Sequence, residues 1–178
     1  MKINYNLVVL LLLASVTTAV AQYSYTVDKI ASGDVPEAVS NAFENGFPGA
    51  KTVRWEKHTG KGKNNRYVKY VVVFDKDGIR SRARYKTDGK GISATTYYWF
   101  KKGVAKLPQP VKDYAADKHP DFELNSGEKV ISLKSSASVY RIRLRKGASK
   151  LVVYVNASGE MINKNNLPSE LTEDEDEN

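Results

Sequence analysis

Two proline-bounded stretches recur in this chain at one spacing. Val35-Pro36-x-x-Val39 followed by Phe47-Pro48 returns as Leu107-Pro108-x-x-Val111 followed by His119-Pro120, with both proline pairs seventy-two residues apart. Each is followed by β-branched and aromatic runs that close on a glycine turn, Asp88-Gly89 and Ser158-Gly159. Self-similarity at a fixed period marks a repeated supersecondary unit. The expected fold is therefore α+β: two tandem helix-plus-antiparallel-meander repeats, with both helices packed on one face of an antiparallel sheet.

Local chemistry sets the elements. Asp34 reads as an N-cap with Glu37 completing a D-x-x-E box, and Pro36 is harmless in a first turn. Val35, Ala38, Val39, Ala42 and Phe43 follow the spacing of one helical face, and Gly46 and Pro48 stop it. Strands are expected at 52–58, 66–74, 79–86 and 93–100, with Val53 and Trp55 on one side of the first and Arg54 and Glu56 on the other. Asp77-Gly78 is a hairpin turn. A second helix carries Leu107, Val111, Tyr114 and Ala115, and strands follow at 128–133, 139–145 and 150–155. The core should hold Val39, Phe43, Trp55, Tyr70, Val72, Val111, Tyr114, Tyr140, Ile142 and Leu144. The segments divide as a signal peptide over 1–21, a linker or edge strand over 22–33, the repeats over 34–103 and 104–166, and an acidic tail over 167–178.

Lys2, the apolar run Leu7–Val16 and Ala19-Val20-Ala21 make an export signal with cleavage after Ala21, giving a periplasmic or secreted chain with no transmembrane anchor after processing. The 157 residues left suffice for one ordinary domain. Without a single cysteine, that domain rests on packing alone. Six acids fall in the last nine residues, so the body between signal and tail carries 27 basic against 14 acidic side chains. A basic body favours an anionic partner, a membrane surface or its own acidic tail.

The stretch Val35-Pro36-Glu37-Ala38-Val39, Phe47-Pro48-Gly49-Ala50-Lys51 and Val53-Arg54-Trp55-Glu56 resembles the tandem β-lactamase-inhibitor-like, PepSY-like family of exported bacterial proteins. The Tyr-x-Val strands, the Asp77-Gly78 and Asp88-Gly89 turns and the looser second copy from Leu107 fit it too. The resemblance covers nearly the whole chain beyond the signal. It implies a helix packed on an antiparallel sheet in each unit, and a protein that binds rather than catalyses. The β-lactamase inhibitor has disulfides that this chain lacks, and its contact residues have no close match here.

Catalytic equipment is sparse, and no enzyme activity, cofactor or metal is expected. His58 precedes a Gly-Lys loop and His119 ends a helix, so both read as solvated turn residues. Asp75-x-Asp77-Gly78 lacks the later carboxylate of a calcium loop, and Gly60-Lys61-Gly62-Lys63 lacks phosphate-loop spacing. Six of the eight arginines form alternating triads, Arg80, Arg82, Arg84 and Arg141, Arg143, Arg145. Alternate strand residues share a face. Each triad should therefore be a guanidinium row on the open sheet face, reinforced by Lys69 and Lys86, with Tyr98 and Trp99 as aromatic anchors. A solvated face is the plain alternative. The expected function is a non-catalytic, inhibitor-like periplasmic module that binds an unknown protein through that face. The alternative is an electrostatic binder of acidic polysaccharide, lipid head groups or another polyanion of the cell envelope; nucleic acid is not expected. The acidic tail, with its matching two-residue period, can lie across the basic face or stay solvated.

Overall fold

The computed structural model describes residues 25–61 and 66–172. The export signal and the acidic run from Glu173 lie outside the described residues. Eight strands run in chain order as one antiparallel meander: β1 (Tyr25–Ile30), β2 (Lys51–Lys61), β3 (Arg66–Lys76), β4 (Ile79–Lys86), β5 (Gly91–Trp99), β6 (Glu123–Ser132), β7 (Ser138–Lys146) and β8 (Ser149–Val155). Four short helices accompany them: α1 (Glu37–Gly46), α2 (Phe100–Val104), α3 (Gln109–Lys118) and α4 (Ser169–Thr172).

This overturns the expected architecture of two helix-plus-meander repeats. β5 pairs directly with β6 from Ser93↔Ser132 to Trp99↔Ser126, so the sheet crosses the supposed boundary near residue 104 without a break. No helix among the described residues exceeds ten residues, and the fold is mostly β. Proline spacing located helix starts; it carried no information about whether strands on either side would pair.

One face of the sheet holds two apolar clusters. Val39 and Phe43 of α1 pack on Trp55, Tyr70, Val72, Phe74, Ala83 and Tyr85. Val111 and Ala115 of α3 pack on Tyr140, Ile142, Leu144, Val153 and Val155. Nine of the ten expected core residues are buried, and Tyr114 is half-buried. The side assignments on β2 need correction. Val53 sits in a bulge between Thr52 and Arg54, faces outward and leaves Trp55 alone in the core. A bulge inserts one residue without a partner, which resets which side each neighbour faces.

The expected Asp34 cap does not form. Asp34 ends a 3₁₀ turn, and Pro36 occupies the N-cap position without any side-chain hydrogen bond. The β4–β5 turn lies directly against α1. Gly89, at φ +81°, lies so near the first turn of α1 that a β-carbon would come within 2.4 Å of the Ala38 carbonyl oxygen. A β-carbon on Gly159, at φ +82°, would likewise come within 2.4 Å of the Pro110 carbonyl oxygen in α3. Gly49 also has positive φ but faces open space.

Gly49→Ala should therefore cost about 1 kcal/mol, the penalty of a β-carbon in left-handed backbone. Gly89→Ala adds a clash with backbone that cannot yield, and should cost more than about 2 kcal/mol. Urea denaturation of both variants measures the difference; equal losses would mean that the turn does not locate the helix.

Candidate functional site

The helix-free face follows from the register. Arg54, Glu56 and His58 of β2 lie beside Lys69, Val71 and Val73 of β3 and Arg80, Arg82, Arg84 and Lys86 of β4. Ser93, Thr95, Tyr97 and Trp99 of β5 come next, then Ser126, Glu128, Val130 and Ser132 of β6, and Arg141, Arg143 and Arg145 of β7. With strands about 4.8 Å apart, the two arginine rows stand roughly 14 Å from each other. The alternation expected from sequence places both rows on this one face.

The rows are not simple lines of solvated guanidinium groups, because two buried carboxylates stand among the basic side chains of this face. Glu128, 3% exposed, receives hydrogen bonds from Arg141 Nε at 2.9 Å and Arg143 at 2.5 Å, with a further contact from Arg141 Nη2. Glu56, 4% exposed, accepts from Arg54 Nε at 2.6 Å and from His58 Nε2 at 2.9 Å, and Arg82 stands 3.9 Å away. Arg84 is buried and donates to Ser93 Oγ at 3.1 Å. Arg80 pairs with Asp75 at 2.6 Å, and Arg145 donates to the Gly147 carbonyl. The expected open rows are thus corrected: Arg84 and Arg141 are buried, and Arg82 and Arg143 are partly covered. Like charges aligned along one strand repel, and an intervening acid relieves that strain while fixing each guanidinium plane. Val71 and Val73 are buried although no helix lies over them. Their cross-strand neighbours Arg54, Glu56, Arg82 and Arg84 supply the cover with their aliphatic stems.

His58 is not a turn residue. β2 continues past it to Lys61, and the ring is 1% exposed. A carboxylate only accepts, so Nε2 carries the proton given to Glu56, while Nδ1 is hydrogen-bonded with the Tyr25 hydroxyl at 2.5 Å. Edge strand β1 is thereby fastened to the charge cluster. The same His58 hydrogen bond, aided by Arg54 and Arg82 and opposed by burial, holds the Glu56 carboxyl down at about 2. His119 is half-buried at the C-cap of α3, edge-on to Tyr114 and Phe122.

The two ends of this face differ. At one end the chain after β8 folds back across it: Leu171 of α4 is buried on Val130, Val139 and Tyr154, and Ile162 and Leu167 pack beside it. The other end is aromatic and uncovered. The Tyr97 and Trp99 rings are in contact, tilted by 34° with centroids 4.7 Å apart, and Trp99 is 47% exposed. Phe100 is 80% exposed and held at φ +57°. Trp99 and Phe100 border a shallow cleft of about 730 Å³ with Lys101, Val104 and Leu124. A bulky residue at positive φ is a strained conformation. Tyr98, expected on this face, points the other way: strand alternation sends it to the helix-side cluster, where burial pushes its hydroxyl pKa up. Lys69 and Lys86 lie on the face at the α4 end, directly opposite each other.

Sequence reasoning missed Glu56, Glu128, His58, Tyr25 and Phe100. Arg54-x-Glu56-x-His58 was legible as an alternating polar row. Glu128 was visible only as a strand start, because its role depends on the β6–β7 register. No group of three or more potential metal ligands occurs among the described residues, and no helix among them is long and apolar enough to cross a membrane.

No protein-family model matches the chain, and no curated protein sequence matches it. Solved structures share its fold at low identity. A BLIP-like protein from Bacteroides fragilis aligns with TM-score 0.56 and 15% identity, over 71% of this chain and 82% of the other. A DUF2874 family protein from Bacteroides uniformis aligns with TM-score 0.55 and 14% identity, over 72% and 86%. A protein assigned to the periplasm of Bacteroides eggerthii gives 0.54 and 17%, over 72% and 86%. The chain therefore has a BLIP-like fold. At these identities the likeness is one of fold alone.

Two predictions follow from the buried acids. Glu56 titrates lower in the folded chain than in the unfolded one, so its contribution is full above about pH 4.5 and is lost as pH falls towards 2. The loss is on the order of 3 kcal/mol. Thermal melts between pH 5 and 2 should show Glu56→Gln declining less steeply than wild type; parallel curves would contradict the assignment. Separately, Arg141→Met leaves buried Glu128 with Arg143 as its remaining cation and should cost about 3 kcal/mol, whereas Glu128→Leu with Arg141→Met should recover most of it. Chemical denaturation of the pair decides; a double variant as weak as the single would mean that the packing of Arg141, not its charge, matters.

Proposed function

We propose that this is a non-catalytic, inhibitor-like periplasmic module that engages a protein partner through the uncovered, aromatic end of its helix-free sheet face. The carrying observation is Phe100, a strained and exposed aromatic beside the Tyr97–Trp99 pair. Exposed aromatic side chains grouped on a rigid sheet are the usual anchors of protein interfaces. Arg80, Arg143 and Arg145 border this patch, and the first two are already oriented by Asp75 and Glu128. Guanidinium groups fixed in advance lose little freedom when a carboxylate on a partner arrives. The export signal read in the sequence supports a place in the periplasm, as does the compartment assigned to the Bacteroides eggerthii relative in fold. The sheet surface offers anchoring aromatics and oriented charge.

Trp99→Ala with Phe100→Ala removes the anchors without touching either buried acid. In affinity capture from an envelope extract, wild type should retain a partner that the double variant loses, with both proteins melting within about 2 °C of each other. Salt should weaken capture only modestly, since aromatic burial is not screened. Retention of every partner by the double variant would remove this end of the face from the account. Collapse of capture by moderate salt alone would favour a purely electrostatic polyanion binder.

A further inference from the structure

The sheet ends on β8, and that edge is open for part of its length. The returning chain closes one end of it: the Ile162 N–H donates to the Tyr154 carbonyl at 2.8 Å, and the Asn156 N–H to the Glu160 carbonyl at 2.9 Å. These bonds fix the phase of the strand, because the N–H and C=O of one residue point to the same side and alternate along the chain. Tyr154 and Asn156 turn away from β7, so Val152 and Lys150 do as well. The N–H and C=O groups of Lys150 and Val152, and the Tyr154 N–H, have no hydrogen-bond partner among the described residues.

Open edges are usually guarded by proline, a bulge or several charges. Between Ser149 and Val155 there is no proline, the pairing with β7 runs without a bulge, and Lys150 is the single charged side chain. Exposed apolar side chains, Val152 and Met161, stand along it instead. On the helix side a cleft of about 560 Å³ holds Tyr114, His119, Leu151, Val153 and Met161. On the helix-free side a smaller one of about 260 Å³ holds Arg143, Arg145, Lys150 and Val152. No carboxylate lines either cleft. The acids nearest in the sheet are Glu128, bonded to Arg141 and Arg143, and Glu123, opposite Arg145. Arg141, Arg143, Arg145 and Lys150 outnumber them, so this side of the edge stays positive.

We infer that the free edge of β8 takes up an extended segment of a partner protein as a ninth, antiparallel strand, and that this segment alternates acidic and apolar residues. The outward backbone groups of Lys150, Val152 and Tyr154 supply the pairing, as strand addition to a sheet edge requires. Side chains of the added strand alternate between the two sides. One set enters the cleft beside Leu151 and Tyr114, and the other meets Arg143, Arg145 and Lys150. Two other occupants fit less well. A second copy of β8 would set the Arg143, Arg145 and Lys150 of one protomer against those of its partner. The chain's own run from Glu173 to Glu177 is acidic at every position, so alternation would press carboxylates onto the apolar cleft. The inference does not rest on the aromatic end of the face, since Trp99 and Phe100 lie outside both clefts.

Peptide binding to the full chain, followed by calorimetry and amide hydrogen exchange at about 50 mM salt, tests it. The probe is a short capped peptide alternating glutamate and valine. It should bind and should protect the outward Val152 amide, leaving the Val153 amide, already paired with β7, unchanged. Lysine in place of glutamate should weaken binding by roughly tenfold or more. Methylation of the glutamate nitrogens, which face β8 in this register, should do the same, whereas methylation of the valine nitrogens, which face solvent, should not. Val152→Pro removes an outward N–H and no bond to β7, so it should weaken the probe similarly while the fold survives. Trp99→Ala with Phe100→Ala should bind the probe as wild type does. Equal loss, or no loss, from the two methylation patterns overturns the inference. Protection of Val152 before peptide is added does so too: if dilution removes it, the edge belongs to a second copy, and if deletion of residues 173–178 removes it, to the chain's own acidic run. Protection at Trp99 in place of Val152 gives the peptide to the aromatic end and likewise overturns it.

Discussion

Two carboxylates buried on the face without helices, Glu56 and Glu128, make the rest of this sheet surface possible. Each is almost inaccessible to water and surrounded by cations from its own strand or adjoining strands. A buried acid is costly unless its lone pairs are filled, and here arginine and histidine fill them. In return Glu128 offsets the repulsion between Arg141 and Arg143 on β7, and Glu56 that between Arg54 and Arg82. The charged stems then cover Val71 and Val73, so this face has an interior of its own despite lacking a helix. Loss of either acid would disturb charge, cover and orientation together.

The sheet is thus finished differently on its two sides. Helices α1 and α3 close one side by apolar packing, and their placement depends on Gly89 and Gly159 letting helix backbone approach the turns. The other side is finished by ion pairs in its middle, by Leu171 and its neighbours at one end, and by solvent at the aromatic end. Partners have room where neither helix nor returning chain lies over the strands. That division explains why exposed aromatics and oriented arginines occur together around Trp99.

Much of this was legible in the sequence, and the failures have physical causes. Strand positions, turn glycines and core residues follow from period-two and helical spacing, which are local. The continuity of the sheet is not local: it depends on β5 meeting β6, and nothing between Trp99 and Glu123 announces that pairing. Shared sides along β4 and β7 were readable, so both arginine triads fell on one face. What Arg141 and Arg143 would touch was not readable, since Glu128 meets them across the β6–β7 register, which a bulge at Asn125 shifts. Tyr98 was misplaced because adjacent strand residues cannot share a face, and the dense aromatic run hid which members pointed outward. His58 read as a turn residue because β2 runs longer than its alternation suggested.

The most direct measurement is a footprint of a captured partner on the isotopically labelled protein, taken from backbone and indole resonances with and without the partner. The account predicts shifts concentrated at Tyr97, Trp99, Phe100 and Arg143, with α1 and α3 unchanged. Shifts centred on the exposed sides of α1 and α3, with the Trp99 indole unmoved, would contradict it.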